Sequence, residues 1–308
     1  MGISSPEWSR YLHDQLGVPL ALAAAGVQIS YGVSLAHRSK NGPSNTRVNL
    51  ADSPFRTPYG EERYVLRQED RMLEDHKVVS HREWIEARKE LLKKEKEFTR
   101  LRDQLSQGRR DLPWERVEKN YVFEGANGKE SLSDLFDGRS QLAVYHFMFA
   151  PDWDAGCPHC SHWADNFDRV IVHLNQRDVT MIAVSQAPYS KLVVYERRMG
   201  WSFKWVSSFG SDFNFDYQAS FTPSQLADKK AFYNFAEQDP GVSEREGVSI
   251  FYKDRNGKVF HTYSTYARGI DMMNVDYQYL DLVPKGRDEN GEGPFWVRRH
   301  DEYGQASR

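Results

Sequence analysis

Apolar residues follow strand and helix periodicities in alternation from about residue 117 onward. Continuous apolar runs predict buried strands, and apolar residues three or four positions apart predict amphipathic helices between them. The predicted strands lie at 121–123, 141–149, 179–185, 203–207, 247–253 and 258–264, and the predicted helices at 161–175 and 189–199. Strand–helix–strand units that end in a hairpin predict an α/β fold, with a central mixed sheet flanked by helices.

The longest helical pattern runs from 80 to 107. Ser80 and Glu83 have the spacing of a capping box, and Gly108 ends the pattern. Large apolar residues repeat every seven positions along it: Trp84, Leu91, Phe98 and Leu105. Such a helix is about 40 Å long, which is more than a small domain needs. The helix is expected either to pack along its own domain or to contact a second subunit. We predict a homodimer in which it crosses to the partner, together with the arm that precedes it.

Composition narrows the class of protein. The chain has 308 residues, a formal net charge of −3 and 2 cysteines. The charge gives no electrostatic basis for binding nucleic acid, and two cysteines are too few for a secreted disulfide framework. The apolar stretch 16–35 is interrupted by proline and glycine and lacks a basic leader, so we predict neither a secretory signal nor a membrane-spanning helix. We therefore expect a cytoplasmic protein that binds neither nucleic acid nor membrane.

Both cysteines fall in one short motif, Cys157-Pro158-His159-Cys160, between a predicted strand and a predicted helix. A thiolate at a helix N-terminus receives backbone N–H groups and the positive end of the helix dipole, which lower its pKa and make it a nucleophile. A second thiol one turn later can resolve a mixed disulfide. A CxxC motif before the first core helix of a strand–helix fold is typical of thioredoxin-like proteins.

The types of these residues predict separate roles in thiol–disulfide exchange. Cys157 is the attacking thiolate and Cys160 the resolving thiol, while an imidazolium at His159 stabilises the thiolate. Asp154 and His146 are the nearest candidates for proton transfer during resolution. The sequence has no glycine-rich dinucleotide fingerprint and no P-loop, so we expect no organic cofactor.

Two alternatives use the same residues differently. The first is a tetrahedral zinc, copper or iron site built from two thiolates and two imidazoles. Its candidate ligands are Cys157, Cys160, His146 and His162, with His159 or His261 as replacements. A structural zinc site usually has a second cysteine pair, which this chain lacks. The second alternative is an interaction protein with a vestigial redox site.

Six motifs carry a resemblance to a known family. They are LPWERVEK at 112–119, YHFMF at 145–149, PDWDAGCPHCS at 151–161, RRMGW at 197–201, SSFGSDFN at 207–214 and HTYSTYARG at 261–269. From about residue 81 to residue 289 the chain is similar to the thioredoxin-like domain-of-unknown-function 899 family, described as predicted dithiol–disulfide oxidoreductases. The resemblance implies a thioredoxin-like fold and a thiol or disulfide substrate, either a protein or a small molecule.

The chain departs from better-known relatives at two positions. Thioredoxins place a proline before the strand that faces the CxxC motif, but residues 245–250 contain none. This departure argues against exchange with proteins in the manner of thioredoxin. Peroxiredoxins carry Thr or Ser three residues before the reactive cysteine, where this chain has Asp154. A carboxylate there repels a thiolate, which disfavours a peroxiredoxin mechanism.

Pattern and resemblance together predict the organisation of the chain. The predicted segments are an arm at 1–76, the long helix at 77–111, a thioredoxin-like domain at 112–290 with an insertion at 209–245, and a tail at 291–308. We expect the aromatic-rich insertion to pack over the sheet. The alternative is a lid that forms an apolar pocket near the cysteines.

Overall fold

A mixed sheet of eight strands forms the centre of the computed structural model, which describes residues 76–289 and 293–304. The described strands are β1 Glu115–Arg116, β2 Val122–Gly125, β3 Gly128–Ser131, β4 Gln141–His146, β5 Val179–Ser185, β6 Lys204–Ser207, β7 Ala231–Tyr233, β8 Ala236–Gln238, β9 Gly247–Lys253 and β10 Val259–Tyr266. The order in the main sheet is β1-β10-β9-β4-β5-β6-β2-β3, and β7 and β8 form a separate hairpin. Strands β4, β5 and β6 run parallel, and β9 joins β4 in the antiparallel direction.

Helices cover both faces of this sheet, so the predicted α/β fold with a central mixed sheet flanked by helices is confirmed. The helices are α1 His81–Arg110, α2 Pro158–Phe167, α3 Ile171–Asn175, α4 Tyr189–Met199, α5 Phe213–Asp216, α6 Pro223–Ala227 and α7 Val275–Leu280. Strand β5 and helix α4 have the predicted bounds. The single helix expected at 161–175 is instead α2 and α3, separated by a 3₁₀ turn at Asp168–Val170.

Strand β4 ends three residues before the predicted boundary at 149. His146 is opposite Val184 of β5 and Gly247, the first residue of β9, so pairing with β9 stops there. The next N–H, of Phe147, still donates to the Val184 carbonyl at 2.9 Å. The chain then leaves the sheet and leads to α2.

The sheet separates two hydrophobic cores. The core on what we call the cysteine face includes Tyr145, Phe147, Phe149, Cys160, Phe167, Tyr195 and Trp205. The core on the opposite face includes Phe123, Leu142, Val144, Ile182, Phe213, Tyr217 and Phe251. Because side chains alternate along a strand, neighbours on β4 belong to different cores. This alternation decides which residues can reach the cysteines.

The insertion at 209–245 contains α5, α6 and the β7–β8 hairpin. Its Phe213 and Tyr217 rings pack on the opposite face of the sheet, where they contact Phe251. The segment therefore packs over the sheet, as predicted. Those two rings do not form a lid over the cysteines, because the sheet lies between them.

Helix α1 begins with the predicted capping box: the Ser80 hydroxyl accepts from the Glu83 N–H, and the Glu83 carboxylate accepts from the Ser80 N–H. None of its residues is buried, and the stripe from Trp84 to Leu105 is 52–65% exposed. In the last turn, Arg109 Nε donates to the Tyr263 hydroxyl at 3.2 Å. The described part from Val79 onward forms one compact unit.

The predicted arm at 1–76 lies outside the described residues except for its last position, and so does the apolar stretch 16–35. Among the helices that the structure describes, none is long and apolar enough to cross a membrane.

Candidate active site

Cys157 is the N-cap residue of α2, and Pro158 is the first residue of the helix. The Cys157 carbonyl accepts from both the N–H and the hydroxyl of Ser161, at 3.0 and 2.9 Å. A Cβ at Gly156 would lie 2.6 Å from the Phe147 ring, so the residue before the cysteine has to be glycine. These contacts hold the thiol at the positive end of the helix.

The backbone of Met148 positions both cysteines. Its carbonyl accepts from the Cys157 N–H at 3.0 Å, and its own N–H donates to the Cys160 sulfur at 3.4 Å. Both thiols are free; Cys157 is partly exposed, whereas Cys160 is buried. The two sulfurs are therefore held together, with one open to a substrate.

The pKa values of the two thiols are shifted in opposite directions. A hydrogen bond from Cys160 lowers the pKa of Cys157 well below its usual value, and contact with the His159 imidazole lowers it further, against the opposing effect of burial. Burial raises the pKa of Cys160 well above its usual value, and the Cys157 charge adds to this. The two shifts favour the thiolate form at Cys157 and the thiol form at Cys160.

His159 has its Nε2 atom 3.1 Å from the Pro294 carbonyl oxygen. A carbonyl oxygen only accepts hydrogen bonds, so Nε2 carries a proton and Nδ1 is left for Cys157. Its hydrogen bond with Cys157 raises the pKa of His159, although burial opposes this, and the Pro294 carbonyl contributes in the same direction. The imidazole is thus arranged to be cationic beside the thiolate.

His146 lies away from the cysteines, and its predicted role in proton transfer is wrong. Its ring stacks on Phe213 and Tyr217 on the opposite face, whereas its neighbour Tyr145 packs with Cys160. Its Nε2 atom is 2.8 Å from the Ser249 hydroxyl. Burial lowers the pKa of His146 to about 3.

Asp154 lines a different part of the surface from the thiol pair. It is exposed and lines a groove with Ser190, Lys191 and Arg198, whereas both cysteines line a separate cavity. Its role in proton transfer during resolution stays a prediction.

The predicted metal ligands do not converge. His146 and His261 are on the opposite face, where His261 bonds to the Ser264 hydroxyl at 2.7 Å. His162 lies near the cysteines, but its Nε2 atom is 2.5 Å from a carboxylate oxygen of Asp276. In the described part of the chain, no group of three or more His, Cys, Asp or Glu side chains is arranged to hold a metal ion.

Glu246 is a site residue that the sequence analysis missed. It immediately precedes β9 and lines the cavity that contains both cysteines. Burial and the contacts with Cys157 raise the pKa of Cys160, and the negative charge of Glu246 raises it further. A signal was available, since Glu246 occupies the approach to the strand where thioredoxins have their proline.

Residues 293–304, which we call the C-terminal segment, also form part of the site. Arg299 donates to the Gly156 carbonyl and to the Tyr195 hydroxyl, both at 2.7 Å. His300 contacts Asp165 at 2.8 Å. The segment has no apolar periodicity, so the sequence indicated only a tail.

The cysteines open into a cavity of about 360 Å³. Its walls come from α2, residues 245–246, the 3₁₀ helix Ala267–Met273 and the C-terminal segment. The charged lining residues other than histidine are Arg245, Glu246, Arg268, Asp271, Arg287 and Glu289. A volume of this size accommodates a small molecule.

Comparisons with known proteins give a family and weak structural neighbours. A family profile described as a bacterial protein of unknown function, DUF899, matches residues 73–303. No curated protein sequence matches the chain. Peroxiredoxin Q from Xanthomonas campestris is 11% identical with a TM-score of 0.37, and the match covers 56% of this chain and 98% of that chain. Peroxidoxin BcpB from Mycobacterium tuberculosis is 13% identical with a TM-score of 0.33, covering 53% of this chain and 93% of that chain. The chemistry is therefore inferred from the geometry of the site.

Proposed function

This chain belongs to the DUF899 family of bacterial proteins of unknown function, and from the geometry of its site we propose that it is a thiol–disulfide oxidoreductase. The observation that supports this most strongly is the opposite perturbation of two adjacent thiols. The pKa of Cys157 is lowered at the start of a helix, and that of Cys160 is raised by burial one turn later. An attacking thiolate and a protected resolving thiol are what disulfide exchange requires.

The first step is attack by the Cys157 thiolate on one sulfur of a substrate disulfide. A sulfur–sulfur bond forms between Cys157 and that sulfur, and the substrate's own sulfur–sulfur bond breaks. The departing thiolate takes a proton from the His159 imidazolium. His159 is suited to this because the Pro294 carbonyl fixes the proton on Nε2 and leaves Nδ1 towards the reacting sulfur.

The second step needs the Cys160 thiol to lose its proton. We assign Glu246 as the acceptor, because its carboxylate lines the same cavity as both sulfurs. The Cys160 thiolate then attacks the Cys157 sulfur, the mixed disulfide breaks, and the second half of the substrate leaves as a thiolate that takes the proton back from Glu246. One disulfide is reduced by two electrons and the protein pair is oxidised by two. An external dithiol returns the pair to its reduced form.

The decisive experiment compares Cys157→Ser and Cys160→Ser with the wild-type chain in reduction of a small disulfide by dithiothreitol. We expect Cys157→Ser to lose the activity. Mixed with the disulfide in the absence of dithiothreitol, Cys160→Ser should stop after the first step and accumulate one substrate adduct on Cys157, visible as a mass increase. Ser190→Ala, beside the separate groove that Asp154 lines, is the control and should behave as wild type.

Full activity in Cys157→Ser would contradict the proposed mechanism. Metal analysis of the same preparations tests the alternative of a metal site, which requires about one equivalent of metal that is lost in either cysteine variant. An interaction protein with a vestigial site would give no cysteine-dependent turnover in the wild-type chain.

A further inference from the structure

The resolving thiol has to become a charged group in apolar surroundings. Cys160 is 1% exposed and belongs to the core of the cysteine face, whose other members are mainly aromatic and aliphatic side chains. Once Cys160 has lost its proton, its sulfur needs hydrogen-bond donors, because a buried charge without them is strongly unfavourable. The Met148 N–H is one donor, at 3.4 Å from the sulfur. The second exchange step therefore depends on what else can donate to this atom.

Tyr145 carries a hydroxyl that packing alone does not explain. The side chain is 2% exposed and packs in the same core as Cys160. Its hydroxyl has no nitrogen or oxygen partner among the residues that the structure describes. A buried hydroxyl without such a partner is unfavourable, and phenylalanine would fill nearly the same space without it. The hydroxyl therefore calls for a role other than packing.

The polar group beside this hydroxyl is the thiol of Cys160. Burial raises the pKa of Tyr145 well above its usual value, and the charge and hydrogen bond of Cys160 add to this rise. The hydroxyl therefore keeps its proton and acts as a donor towards a thiolate. Burial also raises the pKa of Cys160, and the hydrogen bond from Tyr145 opposes that rise. Since hydrogen bonds to ionised acceptors are the stronger ones, this donor favours the thiolate over the thiol.

We infer that Tyr145 is a catalytic residue of the second step, in which its hydroxyl and the Met148 N–H together donate to the Cys160 sulfur as it becomes a thiolate. The proton of Cys160 still passes to Glu246, and Tyr145 keeps its own proton throughout. When the Cys160 thiolate attacks Cys157, the charge moves to the departing substrate sulfur. Donors placed where charge develops lower the barrier to forming it. This inference rests on the proposed exchange reaction and adds a residue to it.

The test follows the two steps separately in one stopped-flow trace. The reduced full chain, in excess, is mixed with 4,4′-dithiodipyridine, which releases one absorbing thiopyridone when Cys157 attacks and another when Cys160 resolves the adduct. A hydrogen bond to a charged group favours the thiolate by about 10- to 100-fold, and the lower nucleophilicity of a stabilised thiolate offsets roughly half of this on a logarithmic scale. Tyr145→Phe should therefore slow the second release by about three- to tenfold and leave the first unchanged.

Two further measurements separate catalysis from structure. The urea midpoint of reduced Tyr145→Phe should not fall, because the hydroxyl has no nitrogen or oxygen partner to lose among the described residues. Tyr121→Phe is the matched control, since Tyr121 is buried in the core of the opposite face and its hydroxyl donates to Asp216 at 2.7 Å. It should leave both releases at wild-type rates. An unchanged second release in Tyr145→Phe, or an equal slowing of both releases, overturns the inference.

Failure of this inference and failure of the exchange reaction have different signatures. If the wild-type chain gives both releases and Cys160→Ser lacks the second, the exchange reaction stands, and Tyr145→Phe alone decides the role of the hydroxyl. If the wild-type chain gives no second release, the cysteine pair does not resolve an adduct, and both proposals fall.

Discussion

Replacing His159 with glutamine should weaken the Cys157 nucleophile by a predictable amount. The hydrogen bond with Cys157 and the Pro294 carbonyl both raise the pKa of His159, so they favour a positively charged ring beside the thiolate. A hydrogen bond to a charged group contributes about 1.5–3 kcal/mol, and the cavity's access to solvent favours the lower end. Glutamine keeps a donor but loses the charge. We therefore expect the loss to be about 1.5 kcal/mol.

The sign of the effect follows from which form is stabilised. His159 favours the thiolate, and hence the reduced protein, so its removal raises the pKa of Cys157 towards its usual value. It should also make the redox potential of the pair more negative, by about 30 mV for a loss of that size.

Two measurements check this prediction. The rate of alkylation by iodoacetamide, followed as a function of pH, should show its inflection at higher pH in His159→Gln. Equilibration with glutathione buffers should give the more negative potential. His173→Gln, a substitution of an exposed histidine on α3, is the control and should match wild type in both. An unchanged inflection and potential in His159→Gln would refute the reasoning.

Three further predictions concern stability and assembly. Arg299→Ala removes two hydrogen bonds that tie the C-terminal segment to the loop before Cys157 and to α4, and should cost about 1–3 kcal/mol in the free energy of unfolding; an unchanged urea midpoint would contradict this. Burial raises the pKa of Glu244 from 4.5 to about 8. Between these two values the folded chain keeps a proton on Glu244 that the unfolded chain has lost. The free energy of unfolding should therefore fall as pH rises, by up to about 1.4 kcal/mol per pH unit. Glu244→Gln should reduce that fall between pH 5.5 and 7.5, and an equally steep fall in the variant would count against it. The exposed stripe of α1 still predicts a homodimer, because leaving large apolar side chains in water is unfavourable. Light scattering should give twice the chain mass for wild type and the monomer mass for a Leu91→Ser, Phe98→Ser double variant. A wild-type monomer at micromolar concentration would refute the dimer.

Local patterns were enough to predict most elements of the sheet. Strand β5 and helix α4 have the expected bounds because their apolar periodicity stops where the element stops. Strand β4 does not, since the apolar run continues through Phe147 and Phe149 into the core of the cysteine face. Hydrophobicity indicates burial both within β4 and after it at Phe147 and Phe149, whereas the end of β4 is set by the residue at which β9 begins.

The site was only partly predictable for a related reason. The position of Cys157 at a helix N-terminus is a local property, and the sequence indicated it. Which side chains of β4 lie on the cysteine face depends on tertiary packing. The sequence therefore predicted His146 beside the cysteines, whereas the alternation of side chains along β4 places it on the opposite face. Glu246, Pro294 and Arg299 reach the site through tertiary contacts that no short pattern encodes.

The contact between His159 and Pro294 joins residues 135 positions apart, and this spacing has a consequence during synthesis. Domains begin to fold as the chain emerges, N-terminal part first. Strand β4 and α2 therefore leave the ribosome well before the C-terminal segment that covers them. Throughout that interval Cys157 lacks the acceptor that orients His159, and the approach to its sulfur is open to larger molecules. The nascent thiol pair thus has a different reactivity and a broader choice of partners than the finished protein, and closure of the segment ends that period.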